Sequence, residues 1–254
     1  MNIRWLAVWL IFIGASVASI RAQTDEIQVY DANIAAPGKF NLTLHNNWIA
    51  EGRDAPAFKG GLVPDESLNG VPEWAYGVTD WLETGLYFPL YSISKNRGAT
   101  FNGFKLRALF VAPHAAERTF FYGVNFEASY NARHWDPSRI TSEVRPILGW
   151  HLHPVDIIFN PILDTDYSQV ENLDFAPATR VAYNFSEKWS IAVEEYADFG
   201  PVGGLYSLNR QSHQLFGVID HHGKFLDIEF GVGAGLTDAS DRLTLKLILS
   251  RDLN

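Results

Sequence analysis

Hydrophobic and polar residues alternate along most of the chain after Gln23. In residues 104–110, Phe104, Leu106, Ala108 and Phe110 lie on one face of the pattern, and Lys105 and Arg107 lie on the other. Residues 120–130 repeat the pattern, with Phe126 between two polar neighbours. A period of two places successive side chains on opposite faces of an extended strand. The pattern therefore predicts strands, and no stretch after Gln23 predicts a helix.

Counting these segments predicts about twelve strands. Their approximate spans are 38–50, 71–80, 82–92, 102–113, 118–131, 140–153, 155–166, 172–185, 188–199, 211–220, 223–235 and 242–252.

The connections between the predicted strands alternate in length. Short ones are expected at 79–81, 114–117, 153–154, 186–187 and 221–222, and long ones near 51–70, 93–101, 132–139, 167–171, 200–210 and 236–241. Outer-membrane barrels have short periplasmic turns, long outer loops and usually an even number of strands. Closing the sheet also pairs every backbone group in lipid. We therefore predict an all-β fold, a single antiparallel transmembrane β-barrel of about 12 strands.

The predicted barrel covers residues 38–254, and the preceding residues have other roles. Arg4 comes before an apolar run from Trp5 to Ile20, which is the pattern of a secretory signal peptide. We expect residues 1–22 to be cleaved on export to the bacterial outer membrane, with a membrane anchor as the alternative. Residues 23–37 are expected to form a periplasmic N-terminal arm or an extra strand. The loop at 51–70 is expected to fold inward or to contact a partner.

Composition and charge narrow the classes of function. The 254 residues carry a net charge of −9, and removal of Arg4 and Arg21 with the signal peptide makes it −11. So acidic an exported chain is a poor nucleic-acid binder. The absence of cysteine excludes disulfides and thiolate metal sites. The expected partners are outer-membrane lipid, the outer-membrane assembly machinery and a small-molecule solute, with the oligomeric state undetermined.

Three stretches resemble a known family. The hairpin "YGVTDWLETGLYFP", residues 76–89, is similar to one that recurs in bacterial barrels of the phenol meta-degradation pathway family, the MetA-type transporter-like proteins. The stretches "EEYADFGPVG" and "AGLTDASDR" extend the resemblance over most of the predicted barrel. The resemblance implies an outer-membrane barrel that acts as a channel or transporter, and it implies no catalytic residue.

The polar face of the predicted strands is expected to line the lumen. The candidate lumen-lining residues are Lys105, Arg107, Asn125, Glu127, Glu143, Arg145, His151, Arg180, Glu194, Asp227, Glu229 and Lys246. Both signs of charge occur on neighbouring strands, so cross-strand ion pairs are expected. We expect Lys105 and Arg107 to meet Glu127, and Arg145 to meet Asp156 or Asn160. The face is either a selectivity lining for a polar solute or a plug of salt bridges.

Tryptophans mark the expected ends of the strands. Trp81, Trp150 and Trp189 lie beside predicted short turns, and Trp48, Trp74 and Trp135 lie near predicted long loops. Tryptophan favours the membrane–water interface, so these six are candidate interface aromatics. Ordinary core tryptophan is the alternative interpretation.

The sequence offers little for catalysis or for binding a metal. His151 and His153 share a strand face, but zinc needs three or four converging ligands. The candidate nucleophiles Ser190, Ser212 and Ser250 lie in no nucleophile elbow. We expect no metal, no cofactor and no catalytic residue. The predicted function is passage of a small solute, and the alternatives are a structural barrel with a plugged lumen, an outer-membrane hydrolase and a soluble periplasmic β-protein.

Overall fold

A computed structural model describes residues 25–254, so the predicted signal peptide at 1–22 lies outside the described residues. The strands are β1 (Phe40–Glu51), β2 (Ser67–Gly77), β3 (Leu82–Ser94), β4 (Gly98–Val111), β5 (Phe120–Asn131), β6 (Ile140–His151), β7 (Val155–Asn160), β8 (Leu163–Thr165), β9 (Asp174–Phe175), β10 (Ala178–Asn184), β11 (Trp189–Asp198), β12 (Ser212–His221), β13 (Asp227–Gly235) and β14 (Leu243–Asp252). Three single-turn 3₁₀ helices lie in the connections, at Ala115–Glu117, Val170–Asn172 and Leu208–Arg210. Within residues 25–254, no helix is long and apolar enough to cross a membrane.

The strands form one closed antiparallel sheet. Neighbours in sequence pair in order, and β1 pairs with β14 to close the ring. β7 and β8 run one after the other along β6, and β9 and β10 continue the next position around the ring. Pro161 lies between β7 and β8, and Pro177 lies between β9 and β10. Each interrupts its strand because proline has no backbone N–H to donate to the neighbouring strand. The fourteen segments therefore make twelve barrel strands, which confirms the predicted fold.

The barrel has two different ends. At the short-turn end the connections are residues 78–81, 112–119, 152–154, 185–188 and 222–226, and at the loop end they are 52–66, 95–97, 132–139, 166–173, 199–211 and 236–242. Two expectations about length are wrong. The connection expected near 93–101 shrinks to three residues because β3 and β4 both extend into it, and the short turn expected at 114–117 is an eight-residue connection that includes a 3₁₀ helix.

The outer surface of the barrel is apolar and its interior is polar. In β11, Ile191 and Val193 are exposed on the outside, whereas Ser190 and Glu194 are buried inside. β14 shows the same inversion, with Leu247 exposed and Lys246 fully buried. A water-soluble domain buries its apolar face instead. The inversion follows from the period-two pattern, because each strand has one apolar and one polar face.

The N-terminal stretch of the described chain lies inside the barrel. Residues 25–35, called the lumen segment from here on, form no regular strand, and Asp25, Ile27, Val29 and Tyr30 are all buried. The segment was expected as a periplasmic arm or an extra strand. It departs from that expectation because its side chains and its backbone find partners on the inner wall.

The lumen segment leaves the barrel at the short-turn end, where β1 begins. The backbone N–H of Gly38 donates to Gly77 O at 2.8 Å, and that of Gly77 donates to Lys39 O at 3.0 Å. A Cβ on Gly77 would lie 2.2 Å from Ala35 O, so only glycine permits the chain to pass this close. This glycine belongs to the "YGVTD" stretch, whose turn at 78–81 marks the short-turn end.

Candidate functional site: a carboxylate-lined cavity

A cavity of about 500 Å³ occupies the half of the barrel nearest the loop end. Side chains of four connections form its rim, namely Phe58 of 52–66, Trp135 of 132–139, Asp166 of 166–173 and Tyr206 of 199–211. The lumen segment forms its floor through Asp25 and Glu26. The cavity therefore reaches from the loop end to the lumen segment.

The cavity wall is strongly acidic. Nine carboxylates line it, and Lys105 and Arg145 are its only basic side chains among the described residues. Four of the carboxylates stand side by side on adjacent strands, in the register Glu127 to Glu143, Glu143 to Asp164, and Asp164 to Asp174. Like charges directly opposite each other on a sheet are destabilising. This row, named the carboxylate row, is therefore a feature that favours a positively charged occupant.

The two basic side chains bind residues of the lumen segment at the floor of the cavity. Lys105 Nζ lies 2.8 Å from Asp25 Oδ2 and 3.5 Å from Glu127 Oε2. Arg145 donates from Nε to Glu143 Oε1 at 2.7 Å and from Nη2 to Glu143 Oε2 at 3.1 Å. Its Nη1 also donates to the backbone oxygen of Gln28 at 3.0 Å. Both cations therefore tie the lumen segment to the wall and partly neutralise the carboxylate row.

Tyr30 lies at the centre of the closed part of the lumen. Its ring is packed against Arg145, with the guanidinium carbon 4.4 Å from the ring centroid. Its hydroxyl is 2.5 Å from the hydroxyl of Tyr87 and donates to Glu127 Oε1 at 3.3 Å. Phe121 and other buried apolar side chains surround this point and fill the space towards the short-turn end. The lumen below the cavity is thus closed by the lumen segment and by wall side chains together.

A second ion cluster lies on the opposite wall. Lys246, which is fully buried, lies 2.5 Å from Glu229 through Nζ–Oε1 and also bonds Glu194 and the backbone oxygen of Ile27. Arg180 bonds Glu194 and Asp220. Buried ions need such partners because an unpaired charge is costly. This cluster holds the lumen segment from the side opposite Arg145.

The remaining predicted lumen residues are placed as follows. Asn125 is buried and donates to Glu127 Oε1 at 2.9 Å. His151 is part-buried near the short-turn end, with Nδ1 2.7 Å from Asp156 Oδ1 and its ring against Phe121. Asp227 differs from the expectation, because it is exposed at the start of β13 and accepts a hydrogen bond from the N–H of Gly223.

Two of the expected ion pairs are wrong. Arg107 bonds Glu73 and Glu83 on the β2–β3 side, where Glu73 Oε1 is 2.6 Å from its Nη2. Arg145 turns to Glu143 and the lumen segment, not to Asp156 or Asn160. Glu127 is the register partner of Arg107 on β5, but it is contacted by Lys105 and Tyr30 instead. Asp156 and Asn160 are likewise engaged by His151 and Tyr30.

The tryptophans divide into two groups. Trp48, Trp74, Trp81, Trp150 and Trp189 are exposed on the outside, where Trp48 lies towards the loop end. Trp74 is near the short-turn end and not beside a long loop, because β2 begins at Ser67, four residues before the expected start. Trp135 is half-buried and lines the cavity, so it is not an outward-facing aromatic.

The candidate nucleophiles are engaged elsewhere. The hydroxyl groups of Ser190, Ser212 and Ser250 are hydrogen-bonded to Asp220, Ser240 and Thr43, respectively. Among residues 25–254, no group of three or more His, Asp or Glu side chains is arranged to hold a metal ion.

Sequence reasoning missed the floor and rim of the cavity. Asp25 and Glu26 belong to a segment that was expected outside the barrel, and Asp136, Asp166 and Asp198 belong to loop residues or strand ends. Glu73 was also missed, although it shares the inner phase of β2 with Gly77 and the alternation alone pointed to it.

Comparisons with known proteins bear on the fold. No protein-family model and no curated protein sequence matches the chain. Among solved structures, the chain is similar to an outer-membrane channel from Pseudomonas putida F1, with a TM-score of 0.60 and 13% identity over 90% of this chain and 100% of that one. A bacterial polysaccharide outer-membrane secretin matches with a TM-score of 0.44, 10% identity and coverage of 87% and 100%. The translocator domain of the autotransporter NalP from Neisseria meningitidis matches with a TM-score of 0.44, 9% identity and coverage of 88% and 90%. The first of these likenesses shows that the chain has the fold of an outer-membrane β-barrel.

Proposed function

We propose that the protein is a bacterial outer-membrane channel or transporter for a small solute, closed at rest by the lumen segment. The observation that carries the proposal is the carboxylate-lined cavity, which reaches from the loop end to Asp25 and Glu26. Its volume is within the range of about 300 to 1,000 Å³ that small-molecule sites occupy. A barrel that served only as a scaffold would have no need for such a cavity.

The proposed location in the outer membrane rests on the apolar outer surface. Large apolar side chains such as Phe126, Val181 and Ile191 are exposed around the barrel. In water, a continuous apolar surface of this kind promotes aggregation, whereas in lipid it is the stable arrangement. The short-turn end would then face the periplasm and the loop end the exterior. Export through a cleaved signal peptide at 1–22 stays part of this proposal.

Two kinds of likeness support a transport function. The hairpin at 76–89 resembles barrels of the phenol meta-degradation pathway family, and membership of that family remains a prediction. The structure with the same fold from Pseudomonas putida F1 is described as an outer-membrane channel. Neither likeness identifies a solute.

Passage of a solute requires the lumen segment to shift. Polar contacts hold it to the wall, including the carbonyl oxygens of Ile27 and Gln28 bound by Lys246 and Arg145. Water or a charged solute can replace contacts of this kind one at a time, because the net strength of one hydrogen bond from a charged group is about 1.5 to 3 kcal/mol. The segment contains no regular strand, so its displacement leaves the barrel ladder intact.

A plugged structural barrel is the second candidate, and a specific observation favours it. Buried apolar side chains form two clusters inside the barrel, one around Phe121 and one around Phe216. Both clusters include residues of the lumen segment. No catalytic step is proposed for the chain.

Recordings in planar lipid bilayers distinguish the two candidates. The full chain is expected to show channel openings, and the absence of any current from correctly folded protein would support the plugged barrel. Lys105→Ala is expected to make the channel more cation-selective, because it removes a positive charge from an acidic cavity. Heat-modifiable migration in gels checks the folding of each variant.

A further inference from the structure

The floor of the cavity carries a carboxylate without a hydrogen-bond partner. Glu26 is only 5% exposed, yet neither of its carboxylate oxygens accepts a hydrogen bond from residues 25–254. Its nearest cation is Arg145, whose Nη1 lies 3.8 Å from Glu26 Oε1. A buried carboxylate left in this way is costly unless a cation reaches it. Because Glu26 lines the cavity, a cation bound there would give it a second positive partner besides Arg145.

The carboxylate row lines the same cavity as Glu26. Its four members occupy successive strands, and neighbouring strands in a sheet are about 4.8 Å apart. That spacing is close to the separation of two ammonium groups joined by three methylenes. A flexible chain with amines at this interval places one cation near each carboxylate in turn.

The chemistry of the wall favours an organic cation over a metal ion. The carboxylates are spread along the wall, and within the described residues they do not converge in the manner of metal ligands. Trp135 and Phe58 also line the cavity, so the wall offers aromatic surface to methylenes and ring faces to ammonium groups. The binding site is therefore both anionic and partly apolar.

We propose that the cavity binds an aliphatic polyamine, with its amines along the carboxylate row and one end at Glu26. The inference names the solute class of the proposed channel and so rests on that function. The binding can be measured without any conductance, which keeps the two claims apart.

The test is calorimetric titration of the full chain, folded in detergent at low salt, with spermidine. We expect saturable binding of about one spermidine per chain. Asp164→Asn/Asp174→Asn is expected to weaken it at least about tenfold. Asp54→Asn/Asp238→Asn is the matched control, since it removes the same charge from exposed loop residues outside the cavity, and it is expected to leave the affinity unchanged. Butylamine, with a single amine, is expected to bind at least about tenfold more weakly than spermidine.

Three results would overturn the proposal: no saturable heat, equal loss in both double variants, or equal affinity for spermidine and butylamine. If the Asp164→Asn/Asp174→Asn protein does not fold, Glu26→Gln replaces it, and unchanged affinity in that variant also overturns the proposal. Spermidine binding by a chain that never conducts would refute the channel and retain the site. Conductance without spermidine binding would refute the polyamine site and retain the channel.

Discussion

Tyr30 and Asn160 are joined by two hydrogen bonds across the lumen. The backbone N–H of Tyr30 donates to Asn160 Oδ1 at 2.7 Å, and Asn160 Nδ2 donates to Tyr30 O at 3.0 Å. A single side chain on β7 thus satisfies both backbone polar groups of one residue in the lumen segment. Since the segment has no strand partner, this amide takes the place of a sheet ladder.

Asn160→Ala is expected to release the segment locally. Two buried backbone groups lose their partner, each at a cost of about 1 to 3 kcal/mol. Hydrogen exchange should therefore become faster at the Tyr30 amide. Asn69→Ala is the control, because Asn69 is equally buried but bonds Ser92 on the wall. Slow exchange at Tyr30 in the Asn160→Ala protein would contradict the role given to this contact.

Val193→Arg tests whether lipid covers the outer surface. Val193 is 53% exposed in the middle of β11. An arginine at this depth costs about 2 to 4 kcal/mol in a bilayer and close to nothing in water. The loss is measured as the change in urea-dependent unfolding in lipid vesicles.

Val202→Arg is the matched control for that measurement. Val202 is 46% exposed and lies in the connection 199–211 at the loop end. Its replacement should leave stability unchanged. Equal stabilities of the two variants would favour a soluble periplasmic barrel.

Lys246→Met is expected to destabilise the barrel strongly. The change preserves much of the side-chain volume but removes one of the two cations that Glu194 and Glu229 share, so that only Arg180 remains. Breaking a buried pair from one side costs about 3 to 5 kcal/mol. The temperature at which the heat-modifiable gel shift occurs should fall, whereas Lys188→Met in the exposed turn 185–188 should not change it. A normal transition temperature for Lys246→Met would mean that water reaches the cluster.

The loop end contains one contact with a defined pH dependence. Asp65 Oδ2 accepts a hydrogen bond from Lys95 Nζ at 2.6 Å, and this bond holds the pKa of Asp65 below its ordinary value of 3.8. A lowered pKa means that the contact adds stability above pH 3.8 and loses it as the pH falls through the lowered pKa. Titration of the Asp65 carboxyl by NMR should show this low pKa and its return towards 3.8 in Lys95→Gln. An unshifted pKa in the unmodified chain would show that the contact does not persist in solution.

The sequence predicted the barrel well because alternation is a local property. The similar stretches "YGVTD" and "GLTD" illustrate this. The predicted strands placed residues 76–80 and 235–238 at opposite ends of the barrel, and β2 indeed ends at the short-turn end and β13 at the loop end. The path of residues 25–35 was not predictable in the same way. A segment inside a barrel contacts many strands that are distant in sequence. No local pattern therefore predicts that Asn160 or Lys246 will bind it. The carboxylate row also depends on the register between strands, which the alternation leaves open.

The most direct test of the central claim is a comparison of single-channel conductance in planar bilayers. The full chain is compared with a variant that lacks residues 25–34, after both show heat-modifiable migration. If the lumen segment closes the barrel, the shortened protein will conduct several times more current per channel, and its openings will be stable. Equal conductance in the two proteins would contradict the account, because the wall side chains alone would then determine what passes.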